Sequence, residues 1–142
     1  MPGKRKSMYK LEDHVGHLLR RANQRHTAIF FDGLGQQLTP MQFAVLIKIS
    51  DEDEVSQNLL GRLAAMDPAT VQGVVRRLRE RNLITARPDP EDRRRSLWRL
   101  SKTGKKLVAK SLPKAEAITK RTLEPLSRKD RETFLNLLRR LS

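Results

Sequence analysis

The chain has 142 residues, and its 30 Lys and Arg outnumber 16 Asp and Glu, giving a formal net charge of +14. An excess that large calls for partners dense in negative charge, nucleic acid before anionic membrane. The absence of cysteine excludes disulfides and thiolate metal sites, and no apolar run approaches the roughly 20 residues that span a bilayer.

Met1-Pro2-Gly3-Lys4-Arg5-Lys6 has no apolar stretch behind it, so it does not read as a secretory signal, and a cytoplasmic protein is expected. Residues 1–9 read as a flexible basic arm. From Lys10 to Phe31, apolar positions recur through Leu11, Val15, Leu18, Ala22 and Ile29 at helical spacing. Gly33-Leu34-Gly35 breaks that helix. Thr39 then serves as an N-cap with Pro40 at the first helical position, where a missing N–H costs nothing. This second helix carries Phe43, Leu46 and Ile47 and is expected to end near Ser50. Asp51 to Glu54 reads as a loop, and a third helix starts at Ser56.

Asp67-Pro68 repeats the cap-and-proline signal and opens a fourth helix with Val71, Val74, Val75 and Leu78 on one face. Asn82 suits a left-handed cap. Two short extended runs follow, Leu83 to Arg87 and Ser96 to Leu100. The turn-forming Pro88-Asp89-Pro90-Glu91-Asp92 lies between them, predicting a hairpin tipped by Arg93, Arg94 and Arg95. A helix from Ser101 to about Glu124 contains Pro113, which should kink it. The last helix starts at Ser127 and Asp130 and carries a stripe of Phe134, Leu137, Leu138 and Leu141.

Two short helices joined by a tight turn and followed by a basic hairpin have the layout of a winged helix-turn-helix, whose second helix enters the major groove. Pro68 starts that helix, so its free N–H groups and positive dipole end are expected to face phosphates. With the valines and Leu78 turned inward, Ala69, Gln72, Gly73 and Arg76 face out, and Thr70 and Arg77 lie on the flanks. Gln72 suits adenine and Arg76 guanine; Thr70 and Arg77 suit phosphates. Gly73 weakens the helix yet permits close approach of a backbone. A merely solvated helix face is the alternative, as for most charge runs. The wing argues against it, because Arg93, Arg94 and Arg95 repel one another and a narrow minor groove would reward them. Asp92 can hold Arg94 in a fixed direction.

Leu38-Thr39-Pro40-Met41-Gln42-Phe43-Ala44-Val45-Leu46, Asp92-Arg93-Arg94 and Leu100-Ser101-Lys102-Thr103-Gly104 together resemble the MarR family, the multiple antibiotic resistance regulators, over nearly the whole chain. That resemblance implies a mostly α (α+β) fold, a homodimer built from the first and last helices, and a pseudo-palindromic double-stranded operator. The domain plan is then a dimerisation helix over 10–37, a winged helix-turn-helix domain over 38–100, and dimerisation helices over 101–142. Leucines on the last helix would be wasted on a monomer this small, which also argues for a second subunit.

Members of that family often bind a phenolic or carboxylate ligand between the dimer helices and the winged domain. Here His14, His17 and Arg21 share one edge of the first helix. A guanidinium beside two imidazoles suits a small aromatic carboxylate or phenolic effector, with Met41, Val45 and Leu107 as aliphatic walls. Two alternatives stay open: histidines bonded within a dimer interface, or a metal held by His14 and His17, though no third ligand joins them in sequence. No cofactor is expected. The chain lacks a glycine-rich phosphate loop, a nucleophile elbow and a His-Glu metal motif, so it does not read as an enzyme. A DNA-binding repressor released by an aromatic ligand is the leading expectation. A metal-responsive repressor and a sequence-indifferent architectural DNA- or RNA-binding protein are the alternatives.

Overall fold

The computed structural model describes residues 8–142. The expected basic arm therefore lies outside the described residues up to position 7. In chain order the elements are a 3-10 turn Leu11–Asp13, α1 Val15–Leu34, α2 Pro40–Glu52, β1 Val55–Ser56, α3 Gln57–Leu63, α4 Pro68–Glu80, β2 Ile84–Pro88, β3 Ser96–Leu100, α5 Lys102–Thr122 and α6 Arg128–Arg140. The sheet runs β1-β3-β2 and is antiparallel throughout: Val55 pairs with Trp98, and Ile84 pairs with Leu100.

Local chemistry sets most of the boundaries. Thr39 Oγ1 accepts from the Gln42 N–H at 3.1 Å while Gln42 Oε1 accepts from the Thr39 N–H at 3.1 Å, a reciprocal capping box that starts α2. Ser56, Asp67, Ser101 and Ser127 cap α3, α4, α5 and α6 in the same N-cap position. Asn82 takes φ 57, the left-handed conformation expected of it, and turns the chain from α4 into the sheet.

Several expectations need correction. The first helix does not begin at Lys10, because His14 is extended at ψ 128 and separates the 3-10 turn from α1, which then continues to Leu34. Asp51 and Glu52 belong to α2 and not to a loop; the chain turns at Asp53, with φ 59. β1, a strand of two residues, was not foreseen. Pro113 lies inside α5 without ending it, and the neighbouring Ser111 returns its hydroxyl to the Leu107 carbonyl at 2.6 Å.

The main core lies under the winged domain, where Leu46, Ile49, Leu60, Val71, Leu78, Ile84 and Trp98 close on one another with Leu38 and Val108. Truncating a fully enclosed member such as Leu78 to alanine would cost about 2–5 kcal/mol. A smaller cluster of Ile29, Phe30, Leu34 and Ile118 fastens α1 to α5. That junction is reinforced by an Arg121–Asp32 ion pair at 2.5 Å and by His26 Nδ1 against Thr122 Oγ1 at 2.9 Å. Arg25 Nη2 donates to the Arg121 carbonyl at 3.1 Å, placing a cation where α5 ends negative.

The hairpin is anchored to α5 through Ser101 and Gly104. Ser101 donates from its hydroxyl to the Asn82 carbonyl at 2.6 Å and from its N–H to the Leu83 carbonyl at 3.0 Å. A Cβ at position 104 would stand 2.0 Å from the Leu83 oxygen, so only glycine fits there. The Leu-Ser-x-x-Gly run thus joins the wing rigidly to the long helix. By contrast, α6 contributes no buried residue, and Leu137 is 50% exposed.

Candidate nucleic-acid interface

The outer face of α4 carries the stripe expected of it. Val71, Val74, Val75 and Leu78 are buried, while Ala69, Gln72, Arg76 and Arg77 are exposed. Open space surrounds the Cα of Gly73, so no neighbour within the chain requires glycine there. Pro68 stands exposed at the first helical position.

The helix start departs from expectation. Asp67 Oδ1 accepts from the Thr70 N–H at 2.8 Å, and Oδ2 accepts from the Thr70 hydroxyl at 2.8 Å. The N-terminus of α4 is thus already occupied by a carboxylate, and the Thr70 hydroxyl has spent its proton on that cap. Those bonds hold the Asp67 carboxyl below the usual range, first through the Thr70 N–H and then through its hydroxyl. An incoming phosphate meets Asp67 and not an open ring of N–H groups.

The wing tip is more ordered than a run of three arginines suggests. Asp92 Oδ1 accepts the N–H and the Nε–H of Arg94, each at 3.1 Å, while Oδ2 lies 3.4 Å from Arg94 Nη2 and 3.7 Å from Arg95 Nε. The Arg95 N–H donates to the Asp92 carbonyl and the Asp89 N–H to the Arg95 carbonyl, both at 2.9 Å, closing the loop. Arg94 still has 90% of its side chain exposed. Arg93 is exposed and has no hydrogen bond or ion pair among the described residues. The hydrogen bond from Arg94 keeps the Asp92 carboxyl below its ordinary value.

Three features at the base of the wing lay beyond sequence reasoning. Glu54 takes Arg87 in a two-point pair, at 2.8 Å from Nε and 2.5 Å from Nη2, with Arg99 Nη1 at 3.6 Å. This carboxylate, one residue before β1, ties both strands of the hairpin to the start of that strand. Arg79 Cζ sits 5.8 Å from the centroid of the Trp98 ring. Between α4 and β3 lies a groove of about 490 Å³, lined by Gln57, the outer stripe of α4 and Trp98. Arg79 follows Arg76 by three residues, and that spacing was the available signal for it.

The expected effector residues are less gathered. His14 is exposed and lies with its ring centroid 5.8 Å from that of Tyr9; His17 is half-buried and Arg21 exposed along α1. The nearby cavity of about 370 Å³ is lined by Leu19, His26, Thr122 and Phe134 among others, and not by that trio. Met41 is exposed and Leu107 half-buried, but Val45 is fully enclosed in the winged-domain core and offers no wall to a ligand. Its side chain points inward because positions 45, 46 and 49 form the buried face of α2. Among the described residues no group of three His, Asp or Glu could hold a metal ion, and no helix is long and apolar enough to cross a membrane.

Residues 36–95 match the profile of the MarR family. Over 134 residues, 94% of this chain and 85% of the relative, the sequence is 40% identical to the HTH-type transcriptional repressor NicR of Pseudomonas putida. The fold is similar to that of BpsR from Bordetella bronchiseptica, with a TM-score of 0.90 and 41% identity over 94% of this chain and 96% of that one. DNA binding by BpsR is regulated by 6-hydroxynicotinic acid. The transcriptional repressor CouR, solved on a 23-mer DNA duplex, matches with a TM-score of 0.86 and 26% identity over 94% of this chain and 96% of that one.

Proposed function

The chain belongs to the MarR family of transcriptional regulators, and we propose that it works as a homodimeric repressor whose two winged domains grip one pseudo-palindromic operator. The braced wing tip carries this reading. Asp92 fixes the direction of Arg94 while leaving it 90% exposed, an arrangement that suits insertion into a minor groove. In this reading Gln72 and Arg76 reach base edges, while Arg77, Arg93 and Arg95 take phosphates. Ala69 and Gly73 allow α4 to lie close to the groove.

Dimerisation is supported by the terminal helices. Leu18, Leu19, Phe134, Leu137, Leu138 and Leu141 are all exposed in the single chain. Apolar side chains gathered on one face mark an interaction surface. Pairing through α1, α5 and α6 would place the two copies of α4 in successive major grooves.

A small aromatic acid is the proposed effector. BpsR, 41% identical, responds to one, and Arg21 with His14 and His17 supplies the charge and donors such a ligand needs. Since these residues do not close a pocket in one chain, a second subunit would complete it. Competition binding tests the main reading: the duplex upstream of the protein's own gene should outcompete scrambled duplex by orders of magnitude at nanomolar protein. Equal competition would favour a sequence-indifferent binder instead.

A further inference from the structure

We infer that the groove between α4 and β3 seats one phosphate of the duplex backbone, with Arg79 binding it and the Trp98 ring positioning Arg79. The inference rests on the DNA-binding reading and adds a contact to it.

Gln57, Gly73, Arg76, Arg79 and Trp98 contribute to the lining, and no acidic residue does. Arg76 and Arg79 bring two guanidinium groups to this face, and among the described residues neither has an acidic partner. Trp98 is 6% exposed, and its Nε1 is the one buried side-chain polar atom without a hydrogen-bond partner among the described residues. That N–H donates in the ring plane and is closed off from solvent, so the ring face under Arg79 is what the groove uses. Arg79, a cation held over the Trp98 ring in a groove that no carboxylate lines, calls for an anion.

Position along the helix selects a phosphate over a base. Recognition helices read base edges with their N-terminal residues. Arg79 lies in the last turn of α4, about 15 Å from Ala69 at 1.5 Å per residue. Trp98 is held by pairing to Val55 and Ala86 on its two sides, so its ring is a fixed platform. A guanidinium stacked on that platform loses little freedom when it binds.

Arg79→Ala is at an exposed position and tests the seat directly. Affinity for the upstream duplex and for scrambled duplex should fall together, about tenfold, as for one charged hydrogen bond. The plot of log affinity against log salt should become shallower by about 0.9, and Arg79→Lys should restore the slope. Emission from Trp98, the chain's single tryptophan, should change when wild-type protein meets duplex and stay unchanged with millimolar inorganic phosphate. Wild-type affinity and slope in Arg79→Ala would overturn the inference and leave DNA binding standing. So would a loss confined to the upstream duplex, which would make Arg79 a base reader. A phosphate-induced change in emission without duplex would assign the groove to a free anion. Failure of the wild-type protein to bind any duplex would remove the DNA-binding reading and this inference together.

Discussion

A single oxygen, Asp92 Oδ1, accepts both the backbone N–H and the side-chain Nε–H of Arg94, each at 3.1 Å. The turn of the hairpin and the aim of the guanidinium are therefore fixed by one residue. Arg94→Ala should weaken binding to every duplex alike and reduce the salt slope by about 1. Asp92→Ala keeps the arginine but frees it and loosens the wing tip, so it should weaken binding less than Arg94→Ala while leaving the core of the winged domain in place. Gel-shift titrations against operator and scrambled duplex, at several salt concentrations, measure both effects.

In the proposed reading, base readout falls to α4. Gln72→Ala and Arg76→Ala should each relax sequence preference by ~1–3 kcal/mol, seen as a larger loss on operator than on scrambled duplex. Equal losses on both would move that residue to the backbone.

Gly73 separates stability from function. Nothing in the chain meets a Cβ added there, so Gly73→Ala should raise helix stability by about 1 kcal/mol. The same methyl group would stand between α4 and the groove floor. Thermal unfolding should rise while operator affinity falls; affinity unchanged or improved would show that the helix backbone does not approach DNA closely.

Acid should loosen the winged domain. The Glu54 carboxyl is lowered chiefly by its hydrogen bond from Arg87, Asp67 by the Thr70 N–H, and Asp92 by Arg94. Each group binds its proton less readily folded than unfolded. Its contribution is therefore complete above the ordinary carboxylate range, around pH 4, and is lost as pH falls through the lower folded values. All three are solvent-screened, so added salt should flatten the dependence. Thermal midpoints followed from neutral pH downward check this, and Glu54→Gln should show a shallower acid limb.

The chain's local chemistry made most of the fold legible. Thr39, Asp67 and Ser127 announce helix starts because a short polar side chain can satisfy a free N–H only there. Asn82 was readable as a left-handed residue for a similarly local reason. What depends on distant neighbours was not readable. β1 is two residues long and exists only by pairing with Leu97 and Trp98, so it leaves no periodic signal. The Glu54–Arg87 pair spans 33 positions, and the stacking of Arg79 on Trp98 likewise needs the sheet in place. Val45 was expected as an aliphatic ligand wall in a chain poor in aromatic residues, but the packing of α2 turns it into the core. Thr70 was read as a phosphate ligand although Asp67 stands three residues before it, a spacing at which an N-cap carboxylate captures the hydroxyl.

Effector control should depend on α1. Arg21→Ala is expected to leave operator binding intact and to abolish release by a small aromatic acid such as 6-hydroxynicotinic acid, the regulator of BpsR. Fluorescence anisotropy of labelled duplex, with and without the acid, separates the two. Loss of DNA binding itself in that variant would give Arg21 a role in the dimer.

The spacing of two half-sites probes the paired grip most directly. With the operator mapped, insertion of about five base pairs at its centre turns the second half-site to the opposite face of the duplex, since successive major grooves on one face are 10–10.5 base pairs apart. Two protomers per operator and a collapse of affinity on insertion, with partial recovery at a full turn, are the predicted results. One protomer per duplex, with affinity indifferent to the spacing, would contradict the account.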